Sequence, residues 1–323
     1  MTKKIAIIGG GLAGSVLADR LSPFAEVTVF EKSRGTGGRM SSCRLEEYAA
    51  DLGAPWFKPT SGAFSNWLGA QSEVSRWQPK GRDFNNIQIK SEPLYVANPR
   101  QSILTRKLCD KATLKTQCRV ASVLPLQQEH SNQVVVNDDQ GLALGLFDAA
   151  IITAPAIQAK PLLEAIPGFA RIAGQAITDP CWVVVITLSG LRNEADLFCG
   201  EHEILYRCIK DSAKPGRTAP ADTETWVIEA TRQWSAGHID TDAADVLSLL
   251  YSAFCTLIGQ QPNIRSSRVH RWLLARHRSD HPTAYLWDAE TGIGACGDWL
   301  KGNGLEASWA SANAMADELE HFI

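Results

Sequence analysis

Over the first forty positions, short apolar runs alternate with glycine-rich and polar turns. Ile5-Ala6-Ile7-Ile8 predicts a buried strand, Ser15 to Leu21 a helix, and Val27-Thr28-Val29-Phe30 a second strand that ends at Glu31. Further strands are expected at Cys118 to Leu124, Gln133 to Asn137, Phe147 to Ala154, Trp182 to Leu188, Thr225 to Thr231 and Arg268 to Ala275. Ile151-Ile152-Thr153-Ala154-Pro155 reads as a buried strand leading to a stop. Three helices are predicted downstream. One starts with Asn98 as N-cap and Pro99 at the first position and runs through Leu104 and Leu108. One is capped by Thr241, runs through Leu257 and stops at Gly259, with Val246, Leu249, Leu250, Ala253, Phe254 and Leu257 on its apolar face. The last covers about Leu305 to Phe322. Ser212 to Asp222, rich in Pro, Gly, Lys and Arg, is expected to be a mobile loop.

The glycines between the first strand and helix add chemistry. Gly9-Gly10-Gly11-Leu12-Ala13-Gly14 sits in the strand–turn–helix–strand–acid order of a dinucleotide site. Gly9 turns the chain, Gly11 admits a pyrophosphate, and Gly14 lets helix pack on strand. Glu31 is placed to accept from an adenosine ribose, and an acid there repels a 2′-phosphate. The spacing alone is weak, because Gly292-Ile293-Gly294-Ala295-Cys296-Gly297 also fits it. That copy shows no strand in front and no helix directly behind, and reads as a short buried strand. After Glu31 a simple dehydrogenase would enter another helix. This chain instead enters a second glycine-rich loop, Lys32 to Met40, in which Arg39 can reach a pyrophosphate.

Composition narrows the picture without changing it. The 323 residues are 45% hydrophobic with a net charge of -3, which gives no general pull towards nucleic acid or an anionic membrane. Eight cysteines without a C-x-x-C pair are expected to be reduced thiols in a cytoplasm. Lys3-Lys4 before Ile5 to Ala18 mimics a signal peptide, but the glycine spacing and Glu31 have no place in one. No run approaches the ~20 apolar residues of a spanning helix. His277 and His281 are four apart, but Pro282 and the lack of a near third ligand speak against a metal.

The paired glycine loops resemble the flavoprotein superfamily of monoamine oxidases, protoporphyrinogen oxidases and phytoene desaturases. Asp51-Leu52-Gly53-Ala54-Pro55-Trp56-Phe57 resembles the segment that passes the flavin ring in that superfamily. Lys32 to Ser42, Asp179 to Trp182, Thr225-Trp226, Gln233 to Ser235, His270 to Trp272, Gly297 to Trp299 and Leu305 to Trp309 together look most like the bacterial renalases. Pro55-Trp56, Lys58 and Ala307 depart from that pattern near the expected substrate pocket.

The resemblance implies an α/β fold, with a Rossmann-like FAD-binding domain and a discontinuous second α+β substrate domain on a mixed or antiparallel sheet. The FAD-binding domain would take residues 1–60, 98–155 and 285–323, and the substrate domain 61–97 and 156–284. It implies non-covalent FAD held by Gly9, Gly11, Leu12, Ala13, Gly14, Glu31, Lys32, Gly38, Arg39, Met40, Gly53, Ala54, Pro55, Val120, Ala154, Gly297, Asp298, Leu305 and Glu306. The implied activity is oxidation of 2- and 6-dihydro isomers of NAD(P), with hydride passing to flavin N5 and O2 giving H2O2. Rearomatisation drives such a step without a general base. Trp56, Phe57, Trp234 and Trp309 are the candidates for stacking the nicotinamide, with core packing as the alternative for each. The arginines of Arg265 to Arg278 could meet substrate phosphates or lie solvated on a strand face. His238 and His270 could polarise a carbonyl or be ordinary satisfied histidines.

A flavin amine oxidase is the main rival; it would call on Lys58 or Lys301, the lysines in plausible blocks. A desaturase-like enzyme would want an apolar patch, and a disulfide reductase a redox cysteine pair. A FAD-holding module without turnover is the reading from a different class. The sequence is silent on oligomeric state.

Overall fold

A computed structural model describes residues 2–128, 131–277 and 283–323. The chain forms two compact units, one from Met1–Gly38, Leu104–Ile177 and His277–Ile323, the other from Arg39–Ile103 and Thr178–Arg276.

The first unit is a Rossmann-like layer structure. Its six-stranded sheet runs in the order Tyr285–Asp288, Ile293–Cys296, Ala149–Ile152, Lys4–Ile8, Glu26–Phe30, Thr113–Lys115. All neighbours are parallel except the edge pair Tyr285–Asp288 and Ile293–Cys296. The central strands are buried along nearly their whole length, as continuous apolar runs in a covered parallel sheet must be. Helices Leu12–Leu21 and Leu305–Glu320 pack together, and Arg20 donates to Asn313, Asp317 and Glu320. A three-stranded antiparallel sheet, Val120–Gln128, Ser131–Asp138 and Ala143–Phe147, joins the core through Phe147, which meets Phe30 edge-on.

The second unit is built on a mixed seven-stranded sheet in the order Asn263–His277, Thr178–Ser189, Thr223–Ala230, Leu205–Lys210, Leu197–Cys199, Gly81–Arg82, Gln88–Ile89. The inner strands pair antiparallel, and Leu197–Cys199 pairs parallel with Gly81–Arg82. One apolar cluster packs the helix Ala243–Ile258 on this sheet through Val246, Leu250 and Phe254, against Trp226 and Phe198. A second cluster joins Val183, Val185, Ile209 and Val227 to the hairpin Ser42–Arg44/Ala49–Asp51.

Several local expectations are corrected. The first helix starts at Leu12 instead of Ser15, because Gly11 is its N-cap. The helix expected from Pro99 starts at Ser102, after a turn in which the Gln101 amide donates to the buried Asp51 carboxylate. The helix expected from Thr241 is preceded by Asp242 as N-cap, and it ends as predicted at a left-handed Gly259. Phe147 to Ala154 is not one strand: Ala143–Phe147 and Ala149–Ile152 belong to different sheets. The second glycine pattern is indeed a buried strand, Ile293–Cys296, but a strand precedes it and a helical turn, Asp298–Lys301, follows it.

The largest correction concerns Ser212 to Asp222, expected to be mobile. Lys214 and Arg217 are fully buried there, and both bind the Asp51 carboxylate at 2.7 Å. Two cations of this segment are instead half of a buried four-charge cluster.

Candidate functional site

In the first unit, the two glycine loops are tied together by a single carboxylate. Glu31 is buried at the end of its strand. One of its oxygens accepts from the Gly10 amide at 2.8 Å and the other from the Ser33 amide at 2.7 Å. The Gly37 amide then donates to the Gly10 carbonyl at 2.8 Å. Gly38 has φ +50, and a Cβ there would lie 3.3 Å from Gly11 Cα, so the second loop folds directly onto the first.

Close approach explains two further glycines. A Cβ on Gly14 would fall 2.0 Å from the Gly9 carbonyl oxygen, which also accepts from Thr153 Oγ1 at 2.9 Å. At Gly11, by contrast, a Cβ would meet nothing within 4 Å. That open side lies at the N-terminus of helix Leu12–Leu21, whose first turn carries no acid and whose first amides have no intrahelical partner. Backbone donors, a positive helix end and unfilled space fit a pyrophosphate. Each Glu31 oxygen keeps a lone pair for a ribose hydroxyl after accepting one amide. The cradle therefore fits the adenosine diphosphate half of FAD or of a nicotinamide dinucleotide. Leu12 and Ala13 lie in its helix, and Lys32 beside it donates to Gln158 at 2.9 Å.

The remaining first-unit candidates sit around the sheet edge. Ala154 follows its central strand and accepts from Trp299 Nε1 at 3.2 Å. Val120 is half-buried at the start of the three-stranded sheet. The Gly297 amide donates to Ser311 Oγ at 2.8 Å, linking the strand end to the last helix. Asp298 is buried, with its carboxylate 3.6 Å from the buried His277 Nε2. Gly302 and Gly304, with φ +126 and +94, turn the chain into helix Leu305–Glu320, so Leu305 and Glu306 are its first residues and Trp309 is one turn further.

In the second unit, the backbone of Gly53-Ala54 lies against Arg39. The Ala54 amide donates to the Arg39 carbonyl at 2.7 Å, and a Cβ on Gly53 would lie 1.9 Å from the same oxygen. Met40 is buried nearby in sequence, and Pro55 leads into Trp56. The aromatic candidates differ. Phe57 is fully buried, pairs its backbone with Tyr95 and meets Phe64 edge-on. Trp234 is buried and stacks on His238 at 4.1 Å. Trp56 is half-buried, with the Arg207 guanidinium 4.7 Å above its ring. His270 meets Trp272 edge-on; burial, helped by Arg268, pushes its pKa below the usual histidine value. Lys58 is tied to Glu92 in an exposed pair, and Lys301 is exposed. Arg278, His281 and Pro282 lie outside the described residues.

The sequence reading missed the buried charge cluster. Besides Asp51, Lys214 holds Asp211 at 2.5 Å, and Tyr48 donates to Asp211 at 3.0 Å. Arg217 also donates to the Ala97 carbonyl at 3.0 Å. Desolvation pushes the Asp51 carboxyl up, but Lys214 and Arg217 outweigh it and hold its pKa below the usual range. For Asp211 desolvation wins, reinforced by the Asp51 charge, and its pKa is raised. The spacing Asp211-x-x-Lys214-x-x-Arg217 was the available signal.

Comparison with known proteins follows these features. A family profile described as NAD(P)-binding Rossmann-like domain matches residues 7–69. The 4,4'-diapophytoene desaturase (4,4'-diaponeurosporene-forming) of Staphylococcus aureus is 43% identical over 51 residues, which are 16% of this chain and 10% of that protein. The aligned stretch is thus a small part of the relative. Among solved structures, a protein from Exiguobacterium sp. 255-15 assigned as a protoporphyrinogen oxidase superposes with TM-score 0.73 at 12% identity, over 100% of both chains. A reduced UDP-galactopyranose mutase gives 0.75 at 11% identity, over 100% of this chain and 95% of the other. An oxidoreductase from Methanosarcina mazei gives 0.68 at 12% identity, over 97% and 100%. At these identities the likeness is one of fold, and it extends over both units. Among the described residues no helix is long and apolar enough to cross a membrane.

Proposed function

We propose that this chain is a FAD-dependent oxidoreductase that oxidises dihydronicotinamide dinucleotides of the 2- and 6-dihydro type, of the renalase kind. The observation that carries the flavin is the doubled glycine loop latched by Glu31, with Gly10, Ser33 and Gly37 amides closing one loop on the other. Gly9, Gly11 and Gly14 with the helix end hold the pyrophosphate, and Glu31 takes the ribose. Val120, Ala154, Gly297, Asp298, Leu305 and Glu306 complete the cofactor site within the first unit. Bound FAD supplies a two-electron acceptor that O2 reoxidises with release of H2O2.

The substrate reading rests on blocks far apart in sequence that interlock in the second unit. Trp272 Nε1 donates to the Leu52 carbonyl at 3.0 Å across 220 residues. The Trp182 amide donates to Ser235 Oγ at 3.1 Å, and Trp182 Nε1 to the His238 carbonyl at 2.8 Å. These blocks resemble those of renalases, and Trp272 braces the segment that carries Trp56. The protein's task is to orient a ring that becomes aromatic on losing two electrons and a proton, so position matters more than acid–base help. Trp56, the half-buried ring among the second-unit candidates, is the stacking face in this reading.

The test is anaerobic mixing of the purified protein with 6-dihydro-NAD, 2-dihydro-NAD, ordinary NADH and a panel of amines. Rapid bleaching of a bound flavin by the isomers alone is expected. Bleaching by an amine and by neither isomer would replace this reading with an amine oxidase, and protein without flavin would remove its basis.

A further inference from the structure

On the second unit's sheet, two guanidinium groups converge on one carboxylate. Glu229 is buried on the strand Thr223–Ala230. From one neighbouring strand Arg207 donates to its Oε1 at 2.7 Å. From the edge strand Asn263–His277, Arg276 reaches Oε2 at 3.3 Å. Both arginines are permanently charged, so the triad has one positive charge in excess. The nearby Cys181 adds none, because burial pushes its thiol up to about 12.

The sequence positions would not normally bring these groups together. Leu205 pairs with Ala230 and Arg207 with Glu229, so two residues advance on one strand against one on the other. The extra residue is Tyr206. Such a bulge breaks the alternation of faces and re-aims side chains, and here it leaves Tyr206 and Arg207 beside each other. The Tyr206 ring consequently meets two cations, with Arg207 at 5.2 Å and Arg276 at 4.1 Å from its centroid. Trp56 takes the Arg207 guanidinium on its own face at 4.7 Å. Stacking on rings orients a guanidinium plane and leaves its N–H edges for planar acceptors.

Two like charges fixed together on an aromatic floor are unfavourable unless an anion joins them. Arg207 spends one N–H on Glu229, and its Nε is buried without a hydrogen-bond partner. A purely structural pairing of Glu229 would need one arginine. Tyr206 and the Arg276 side chain stay partly exposed, so the triad is open to a ligand.

We infer that Arg207, held on the rings of Trp56 and Tyr206, and Arg276, held on Tyr206, form a phosphate-binding subsite for the nucleotide part of the substrate. The inference rests on the proposed dihydronicotinamide activity for the identity of the ligand, and on the triad's geometry for its chemistry. A phosphate has enough oxygens to accept from both forks at once.

The test compares 6-dihydro-NAD with 6-dihydronicotinamide riboside, which lacks phosphate. Arg276→Gln leaves Glu229 paired with Arg207, so the fold is retained. It should raise KM for the dinucleotide roughly 10- to 100-fold, the loss of one charge-assisted contact, with kcat unchanged and the riboside unaffected. Arg276→Lys should recover part of that loss. Equal effects on both substrates, or none on either, overturn the subsite. If neither isomer is oxidised, the proposed activity fails but the subsite is still read by calorimetry with ADP on the purified protein. At low salt Arg276→Gln should then weaken ADP binding about tenfold or more, and unchanged affinity overturns the subsite.

Discussion

Glu31 does more than its position in a motif suggests. An acid at the end of the second strand is legible as a ribose acceptor, but the structure also makes it the latch of two loops. That second role needs the Ser33 and Gly10 amides to point at it, which depends on loop geometry that no spacing encodes. Replacing Glu31 by Gln keeps the size and one oxygen but sets an NH2 group against a backbone N–H. A buried donor left unsatisfied costs about 1–3 kcal/mol. The expected result is a lower urea midpoint and a lower flavin-to-protein ratio after gel filtration; a variant with full flavin and an unchanged midpoint would show that the latch is dispensable. Trp56 and Phe57 show the opposite limit of legibility. They are adjacent and chemically alike, yet one is half-buried beside Arg207 and the other lies in the core. Only the alternation along a locally extended segment separates them, and the Pro55 before it obscures that alternation.

Elements with continuous apolar runs were the most legible, because burial on both faces leaves few alternatives. Lys4–Ile8, Glu26–Phe30 and Ile293–Cys296 follow from their residues. The segment after Asp211 was misread for a physical reason. Lys, Arg, Pro and Gly favour a solvated loop unless an opposite charge waits inside, and here that charge is Asp51, 163 residues away from Lys214. The cluster straps this segment to the strand Ala49–Asp51 and to the Ala97–Gln101 turn. Removing one partner from a buried cluster leaves an uncompensated charge, at about 3–5 kcal/mol. Lys214→Met should therefore lower the unfolding free energy by that amount in urea titration, and expose the Ser212 to Asp222 segment to limited proteolysis. A loss below about 1 kcal/mol would mean that the cluster behaves as a surface pair.

At the scale of the whole molecule, the chain passes between its compact units four times, and the first passage falls between Gly38 and Arg39. That point is inside one glycine-rich loop with no change of composition, so no pattern along the sequence marks it. The seven-stranded sheet was legible as mixed or antiparallel, but its order was not, since it depends on pairings such as Leu197–Cys199 with Gly81–Arg82. Global stability should also carry the mark of His270, which sits on this sheet's edge strand. Its pKa is lowered in the fold, first by burial and then by Arg268, so the unfolded chain binds the proton more readily. By linkage, stability rises with pH wherever the unfolded state holds more protons. The His270 contribution is thus fully present above its unfolded pKa of about 6.5 and is lost as pH falls from there through the folded value. One proton sets a limit of about 1.4 kcal/mol per pH unit. The diagnostic quantity is a difference between two variants. Urea midpoints of wild type and His270→Gln, measured between pH 5 and pH 8, should converge as the pH falls if Gln lacks only the favourable packing of the neutral ring. Parallel midpoint curves would show that His270 binds its proton equally in both states, and that its contact with Trp272 imposes no penalty on the charged ring.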